Sequence, residues 1–188
     1  MVLVSHEHEF IFMKTRKTAG STIEGFLQKY CTPPGTEVLD VQPFTKTKYG
    51  IVSARRPNRI DTPPEGFFDS GGERRWPGHM KARHVRKRLE PGYWRRYKKI
   101  SAVRNPFDRC VSNYFFRMQN NSLKIPDTMP EIVADIRNFL TSPPFSNDRN
   151  ITHIDGKLII GHFIRFENLR GDLNSCLEYL GIPPDDSK

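Results

Sequence analysis

Lys14-Thr15-Arg16-Lys17-Thr18-Ala19-Gly20-Ser21-Thr22 decides the reading of this chain. It lies between a short apolar run, Phe10-Ile11-Phe12-Met13, and a helical stripe of Ile23, Phe26, Leu27 and Tyr30. An apolar run, a basic Gly/Ser/Thr turn, and apolar residues at i, i+3, i+4 and i+7 predict strand, loop and helix. Such a loop turns backbone N–H groups toward the helix N-terminus, where an anion binds readily. The three cations within it point to a phosphate or sulfate ester as ligand. A plain turn with solvated Lys and Arg is the competing reading. It leaves the coincidence of cations, small residues and helix start unexplained.

The loop is not a Walker A motif, which needs G-x-x-x-x-G-K-[ST]. Gly20 is followed by Ser21, the position five before it is Thr15, and Lys17 precedes the glycine. The strand–loop–helix physics is shared and the nucleoside triphosphate signature is absent.

Working outward, Lys99-Ile100-Ser101-Ala102-Val103 predicts a second buried strand, running into Arg104-Asn105-Pro106-Phe107-Asp108-Arg109. Asn105 suits an N-cap, Pro106 the first helical position and Asp108 the first turn. The helix carries an apolar stripe of Phe107, Cys110, Val111, Tyr114, Phe115 and Met118. Residues 31–48 read as a connection broken at Pro33-Pro34-Gly35, Gly50–Ala54 as a strand, and residues 56–78 as a long surface loop. Helices are predicted after His79, at Pro91, over Ile132–Leu140, and from an Asn168 cap through Leu180 to Gly181. Leu158–Ile160 and Phe163–Phe166 suggest strands. Strands alternating with helices predict an α/β layered fold with a mainly parallel sheet, and ligands outside the carboxyl ends of its strands. That rule brings the Lys17 loop and the Arg104 loop to one edge, where a ligand with two separated anionic groups would bridge them.

The chain has 188 residues, enough for one domain with a real core. Its net charge of +9 is concentrated: residues 74–99 hold eleven Lys/Arg against Glu90 alone, or +10. Such a field favours an anionic partner. Ala82, Val85 and Leu89 mark the buried side of a helix there, which leaves Arg83, Arg86 and Lys87 solvated. Cys31, Cys110 and Cys176 form no C-x-x-C pair; Cys110 and Cys176 fall on apolar stripes and read as small buried hydrophobes. The odd count suits a reducing, cytoplasmic setting. No apolar run approaches about 20 residues, and the N-terminus lacks the pattern of a signal peptide. His6 and His8 share a strand-like spacing but lack a third metal ligand, and His153 and His162 receive no role. No carboxylate cluster suited to a metal is evident.

These motifs resemble a known family. Lys17–Thr22 looks like the 5′-phosphosulfate loop of sulfotransferases that use 3′-phosphoadenosine 5′-phosphosulfate (PAPS). Val103-Arg104-Asn105-Pro106-Phe107-Asp108-Arg109, with Ser112 beyond, looks like their 3′-phosphate site. The variant is that of the carbohydrate sulfotransferases, including the heparan-type 2-O-sulfotransferases. Gly78-His79-Met80 and Arg165-Phe166-Glu167-Asn168-Leu169 are similar to two weaker family patterns, in family order. The resemblance implies a three-layer, P-loop-NTPase-like sulfotransferase fold over residues 1–188, with PAPS as co-substrate and no metal. It implies that Arg16, Lys17, Thr18, Ala19, Gly20, Ser21 and Thr22 hold the phosphosulfate, and Arg104 and Ser112 the 3′-phosphate. Lys17 then stabilises charge on the leaving group. His79, kept neutral by nearby cations, serves as the base for an acceptor hydroxyl, with Glu73 and His84 as substitutes. The implied acceptor is a carbohydrate, anionic ones included; a membrane partner is not expected. A nucleotide-kinase-like phosphotransferase is the alternative enzyme, and a basic nucleic-acid-binding domain the alternative from another class. The latter explains residues 74–99 but not the two anion loops as a pair. Relatives usually carry a further C-terminal helical segment past the point where this sequence stops at Asp185-Asp186-Ser187-Lys188, as in a truncated or minimal form.

Overall fold

The computed structural model describes residues 2–55, 76, 78–141 and 148–183. The long loop expected over 56–78 therefore lies outside the described residues except for Trp76, Gly78 and the edge at Arg55, and Glu73 lies outside them too.

A six-stranded sheet organises the chain. In spatial order it runs β3 (Thr45–Lys46), β4 (Gly50–Val52), β1 (Val2–Ser5), β2 (Phe10–Met13), β5 (Lys98–Val103) and β8 (His162–Arg165). A separate small hairpin joins β6 (His153–Ile154) to β7 (Lys157–Leu158). The α/β class holds, but the sheet is mixed. β2, β5 and β8 are parallel neighbours, whereas β1 is antiparallel to both β2 and β4, and β4 to β3. The cause is local: residues 6–9 form a tight turn that reverses the chain between β1 and β2. Antiparallel strands need only such a turn, whereas parallel ones need a crossover. His6 and His8 sit in this turn and not on a strand face; His6 Nδ1 pairs with the Tyr97 hydroxyl at 2.9 Å.

Period-two alternation splits the core in two. Leu3, Phe10, Phe12, Ile100, Ala102 and Ile164 face one side, against Ile23 and Leu27 of α1 (Gly20–Gln28) and Leu173, Cys176 and Leu177 of α7 (Leu169–Leu180). Val2, Val4, Ile11 and Met13 face the other, against Met80 and against Ala82 and Val85 of α2 (Ala82–Arg88). Ile151 of α6 (Arg149–Thr152) and half-buried residues of α3 (Pro91–Arg96) complete that layer. The three-layer arrangement follows directly.

α4 (Pro106–Asn120) begins as its sequence requires. The Asn105 side chain accepts from the Phe107 N–H at 2.9 Å, and Pro106 occupies the first turn. Its apolar stripe is not core, however. α5 (Met129–Thr141) packs beside α4 mainly through Tyr114, whose hydroxyl donates to Asp135 at 2.7 Å. Tyr114 is the one buried residue of α4, Phe107 is 80% exposed, and Cys110 is only half-buried. Cys31 and Cys176 are buried and free. At the last helix Asn168 does not cap; its side-chain amide donates to Asp172, which also receives two bonds from the Arg165 guanidinium. α7 closes as expected at Gly181, at φ 77°, in the left-handed region that favours glycine. The strand expected at Leu158–Ile160 is reduced to Lys157–Leu158. No described helix is long and apolar enough to cross a membrane.

Candidate active site

Residues 14–19 leave the carboxyl end of β2 beside the end of β5, where the parallel half of the sheet opens. Two bonds bind this exit to the neighbouring strand. The Thr15 hydroxyl donates to the Ala102 carbonyl, and the Ser101 hydroxyl donates to the Met13 carbonyl at 2.7 Å. Lys17 and Ala19 both take left-handed backbone conformations, at φ 61° and 57°. Such positions are costly for residues with a Cβ and cluster where function needs them. Here they curl the chain so that the N–H groups of Lys17, Thr18, Ala19, Gly20 and Ser21 donate to nothing among the described residues. Helix α1 starts at the same place without any side-chain cap. An uncapped helix start continuing a curl of free N–H groups is a concavity suited to an anion.

Gly20 is required for close approach. A Cβ there would stand 2.7 Å from Cγ and Cε of Lys14, whose side chain crosses over it. Lys14 thereby reaches Ser21 Oγ at 3.0 Å and the buried Glu24 carboxylate at 2.9 Å. The Lys17 ammonium rests over the Phe116 ring, 4.0 Å from its centroid. Burial, and then the Arg104 guanidinium, lower its pKa.

Across the loop stands His79, at φ 56° another strained residue. Its Nδ1 lies 3.1 Å from the Lys14 carbonyl oxygen. A carbonyl only accepts, so Nδ1 carries the proton and Nε2 is left with the lone pair. The His79 pKa is pulled down to about 3, chiefly by burial, with Arg16 and Lys14 adding to the effect. Burial, rather than the cations alone, keeps this imidazole neutral. His84, by contrast, is exposed on α2 and does not line the cavity.

Loop and histidine share one cavity of about 570 Å³. Its described lining comprises Lys14, Arg16–Thr22 and His79, closed by Asn113, Phe116 and Arg117 of α4 and by Phe139 of α5. The i, i+3, i+4 spacing of the α4 residues marked a helix face, but their sequence gave no reason to prefer it. Phe139 carried no signal; it is held by the Arg117 guanidinium, 5.1 Å from its ring centroid. Asp148 carried none either, though it binds Arg16.

Arg104 and Ser112 are not among the lining residues. Arg104 nevertheless adjoins the loop. Its Nη1 lies 3.4 Å from the Lys17 carbonyl oxygen, its guanidinium covers the Phe166 ring at 4.0 Å, and its Nε is buried without a hydrogen-bond partner among the described residues. The 165–169 segment supports it: Glu167 accepts from the Asn105 N–H at 2.5 Å, a bond that lowers the Glu167 pKa. Ser112 is half-buried on α4, next to the lining residue Asn113.

The sulfotransferase family model matches residues 1–179. This chain belongs to the sulfotransferase family. No curated protein and no solved structure shows significant similarity to it. As a sulfotransferase it is an enzyme that transfers sulfate from a donor to an acceptor. Among the described residues, no group of three or more His, Cys, Asp and Glu is placed to hold a metal ion.

Proposed function

We propose that this sulfotransferase moves a sulfuryl group from PAPS to an acceptor hydroxyl, on a carbohydrate. The observation that carries the reading is the curl from Lys17 to Ser21, whose N–H groups have no partner among the described residues, facing the neutral His79 across one cavity. The 5′-phosphosulfate belongs on those N–H groups, with the Ser21 and Thr22 hydroxyls and Lys17 around it. The 3′-phosphate belongs near Arg104, whose buried Nε has no hydrogen-bond partner among the described residues, and near Ser112. In the transfer, the bond from sulfur to the 5′-phosphate oxygen breaks as the bond from sulfur to the acceptor oxygen forms. The acceptor's proton passes to His79 Nε2, whose basicity rises once the phosphosulfate anion is bound beside it, because a neighbouring negative charge favours the imidazolium. Charge grows on the departing phosphate, where fixed N–H dipoles and Lys17 oppose it with little reorganisation. Phe116, Phe139, Asn113 and Arg117 mix aromatic and polar surface in the cavity wall, which suits a sugar ring with hydroxyls. The buried free thiols of Cys31 and Cys176 agree with a cytoplasmic setting.

Calorimetric titration with adenosine 3′,5′-bisphosphate tests the donor. The bisphosphate is expected to bind in EDTA as well as without it, and more tightly than ATP. Equal affinity for ATP, or loss of binding in EDTA, overturns the reading. Arg104→Ala is expected to weaken bisphosphate binding by about 1.5–3 kcal/mol, the scale of a hydrogen bond to a charged group. Adenosine 5′-phosphosulfate, which has no 3′-phosphate, should lose far less.

A further inference from the structure

Asp148 stands at the foot of α6 with a side chain only 5% exposed. It is bound from two separate parts of the site. Its Oδ2 accepts from the Arg16 backbone N–H at 2.8 Å and from Arg109 Nη1 at 3.1 Å, and its Oδ1 accepts from Arg16 Nη1 at 2.6 Å. We propose that Asp148 is a positioning residue, which sets the backbone of the anion loop through Arg16 and couples it to α4 through Arg109. This rests on the reading that the loop holds the donor's 5′ group.

Arg16 is the last residue before the strained Lys17, and its N–H is turned to Asp148, whereas those from Lys17 to Ser21 donate to nothing among the described residues. The carboxylate therefore fixes where the curl of free donors begins. A left-handed lysine persists only if its surroundings hold it. One carboxylate gripping both the main chain and the side chain of the preceding residue does so, through short charge-assisted bonds. The same oxygen that takes the Arg16 N–H takes Arg109, in the first turns of α4, so the wall carrying Asn113 and Phe116 is tied to the loop it faces. Asp148 is itself anchored. Its carbonyl accepts from the Ile151 N–H at 2.8 Å, and Ile151 packs in the core cluster of Met80, Ala82 and Val85, the segment that follows His79. Loop and wall meet at the Asp148 carboxylate, its main-chain carbonyl ties it to the core behind Met80, and Asp148 does not itself line the cavity.

The test compares two probes by calorimetry: adenosine 3′,5′-bisphosphate and adenosine 3′-monophosphate. The ratio of their affinities isolates what the 5′ loop contributes. Asp148→Asn is expected to lower this ratio about ten-fold, the scale of one lost hydrogen bond to a charged group, and to leave 3′-monophosphate affinity within about two-fold. A merely structural role would lower the melting temperature and leave the ratio intact; that result in a folded variant overturns the proposal. Should Asp148→Asn fail to fold, Arg109→Met decides, because Arg109 does not line the cavity and shares with the Arg16 N–H the same Asp148 oxygen. An unchanged ratio in Arg109→Met then overturns the coupling. If the wild-type protein itself does not distinguish the two probes, the donor reading fails, and this inference fails with it. A large wild-type ratio that survives substitution sinks the inference alone.

Discussion

In the proposed transfer Lys17 and His79 divide the chemistry between them, and their surroundings say how. Lys17 is a cation whose charge burial and Arg104 disfavour, so an arriving anion relieves it. At rest its ammonium lies on the Phe116 ring, an attraction worth about 0.5–2 kcal/mol that a doubly charged phosphate readily outbids. Lys17→Ala is expected to lower turnover more than it weakens nucleotide binding, since the charge it meets is largest in the transition state. His79→Gln should leave bisphosphate affinity within about two-fold and cut turnover roughly 10²–10⁴-fold, the range for a positioned general base. Labelled PAPS with a panel of polysaccharides and small hydroxyl compounds supplies the assay. Near wild-type turnover in folded His79→Gln would move the base elsewhere. That both were worth placing together was legible in the sequence, Lys17 in a basic Gly/Ser/Thr turn and His79 ahead of a basic helix, and the fold brings both to one cavity. Asp148 was not: its partner Arg16 is 132 positions away, and a lone aspartate announces nothing until the fold brings it there.

At the scale of elements, what was local was legible and what depended on pairing was not. Asn105-Pro106 stated the start of α4, and the structure adds that Glu167 holds the Asn105 N–H. Asn105→Ala is expected to cost about 1 kcal/mol, the usual loss of an N-cap, read as a lower denaturation midpoint with unchanged slope. It should also loosen Arg104, next in the chain, and so weaken bisphosphate binding. A stability loss with bisphosphate affinity unmoved would show that the cap serves the helix alone. Gly20 offers a second test. Gly20→Ala drives a methyl group into the Lys14 side chain and displaces it from Glu24. Separating a buried ion pair costs about 3–5 kcal/mol. Lys14 is 16% exposed, and Glu24 has further interactions, so the lower end of that range is expected. By contrast, the direction of β1 and the fate of the α4 stripe were not in the sequence. Val2–Ser5 is apolar in either orientation, and an apolar stripe on a helix states what is available for burial, not whether another element reaches it. α5 reaches Tyr114 and leaves Phe107, Val111 and Phe115 exposed.

For the molecule as a whole, the site's design appears in how stability follows pH. His79 in the folded protein has a pKa of about 3 against an ordinary 6.5, chiefly through burial. His6 is also lowered, by burial first and then by Lys46. Between the folded and unfolded pKa values the unfolded chain holds more protons, so stability rises with pH across that window. The contribution of a buried neutral histidine is thus complete above pH 6.5 and is lost as pH falls toward the folded value. Asp172 acts in the same direction lower down. The Arg165 side chain, then its backbone N–H, hold its carboxyl well below the usual carboxylate range, and its stabilisation is lost only as pH falls below about 4. The melting temperature is therefore expected to be level near pH 7–8 and to decline in two stages on acidification. Each histidine contributes at most about 1.4 kcal/mol per pH unit in the first stage. A domain of this size loses roughly 2–4 °C per kcal/mol. His79→Gln should shallow the decline between pH 6.5 and 4 and leave the lower stage in place; Asp172→Asn should do the reverse. If His79→Gln falls with pH as steeply as the wild type over the upper window, His79 is not held neutral by the fold. The base would then be protonated in weak acid, and turnover would fall with an apparent pKa near 6.5. With His79 held neutral, turnover instead stays level on the acid side down to about pH 5, so the melting curve and the rate profile must move together.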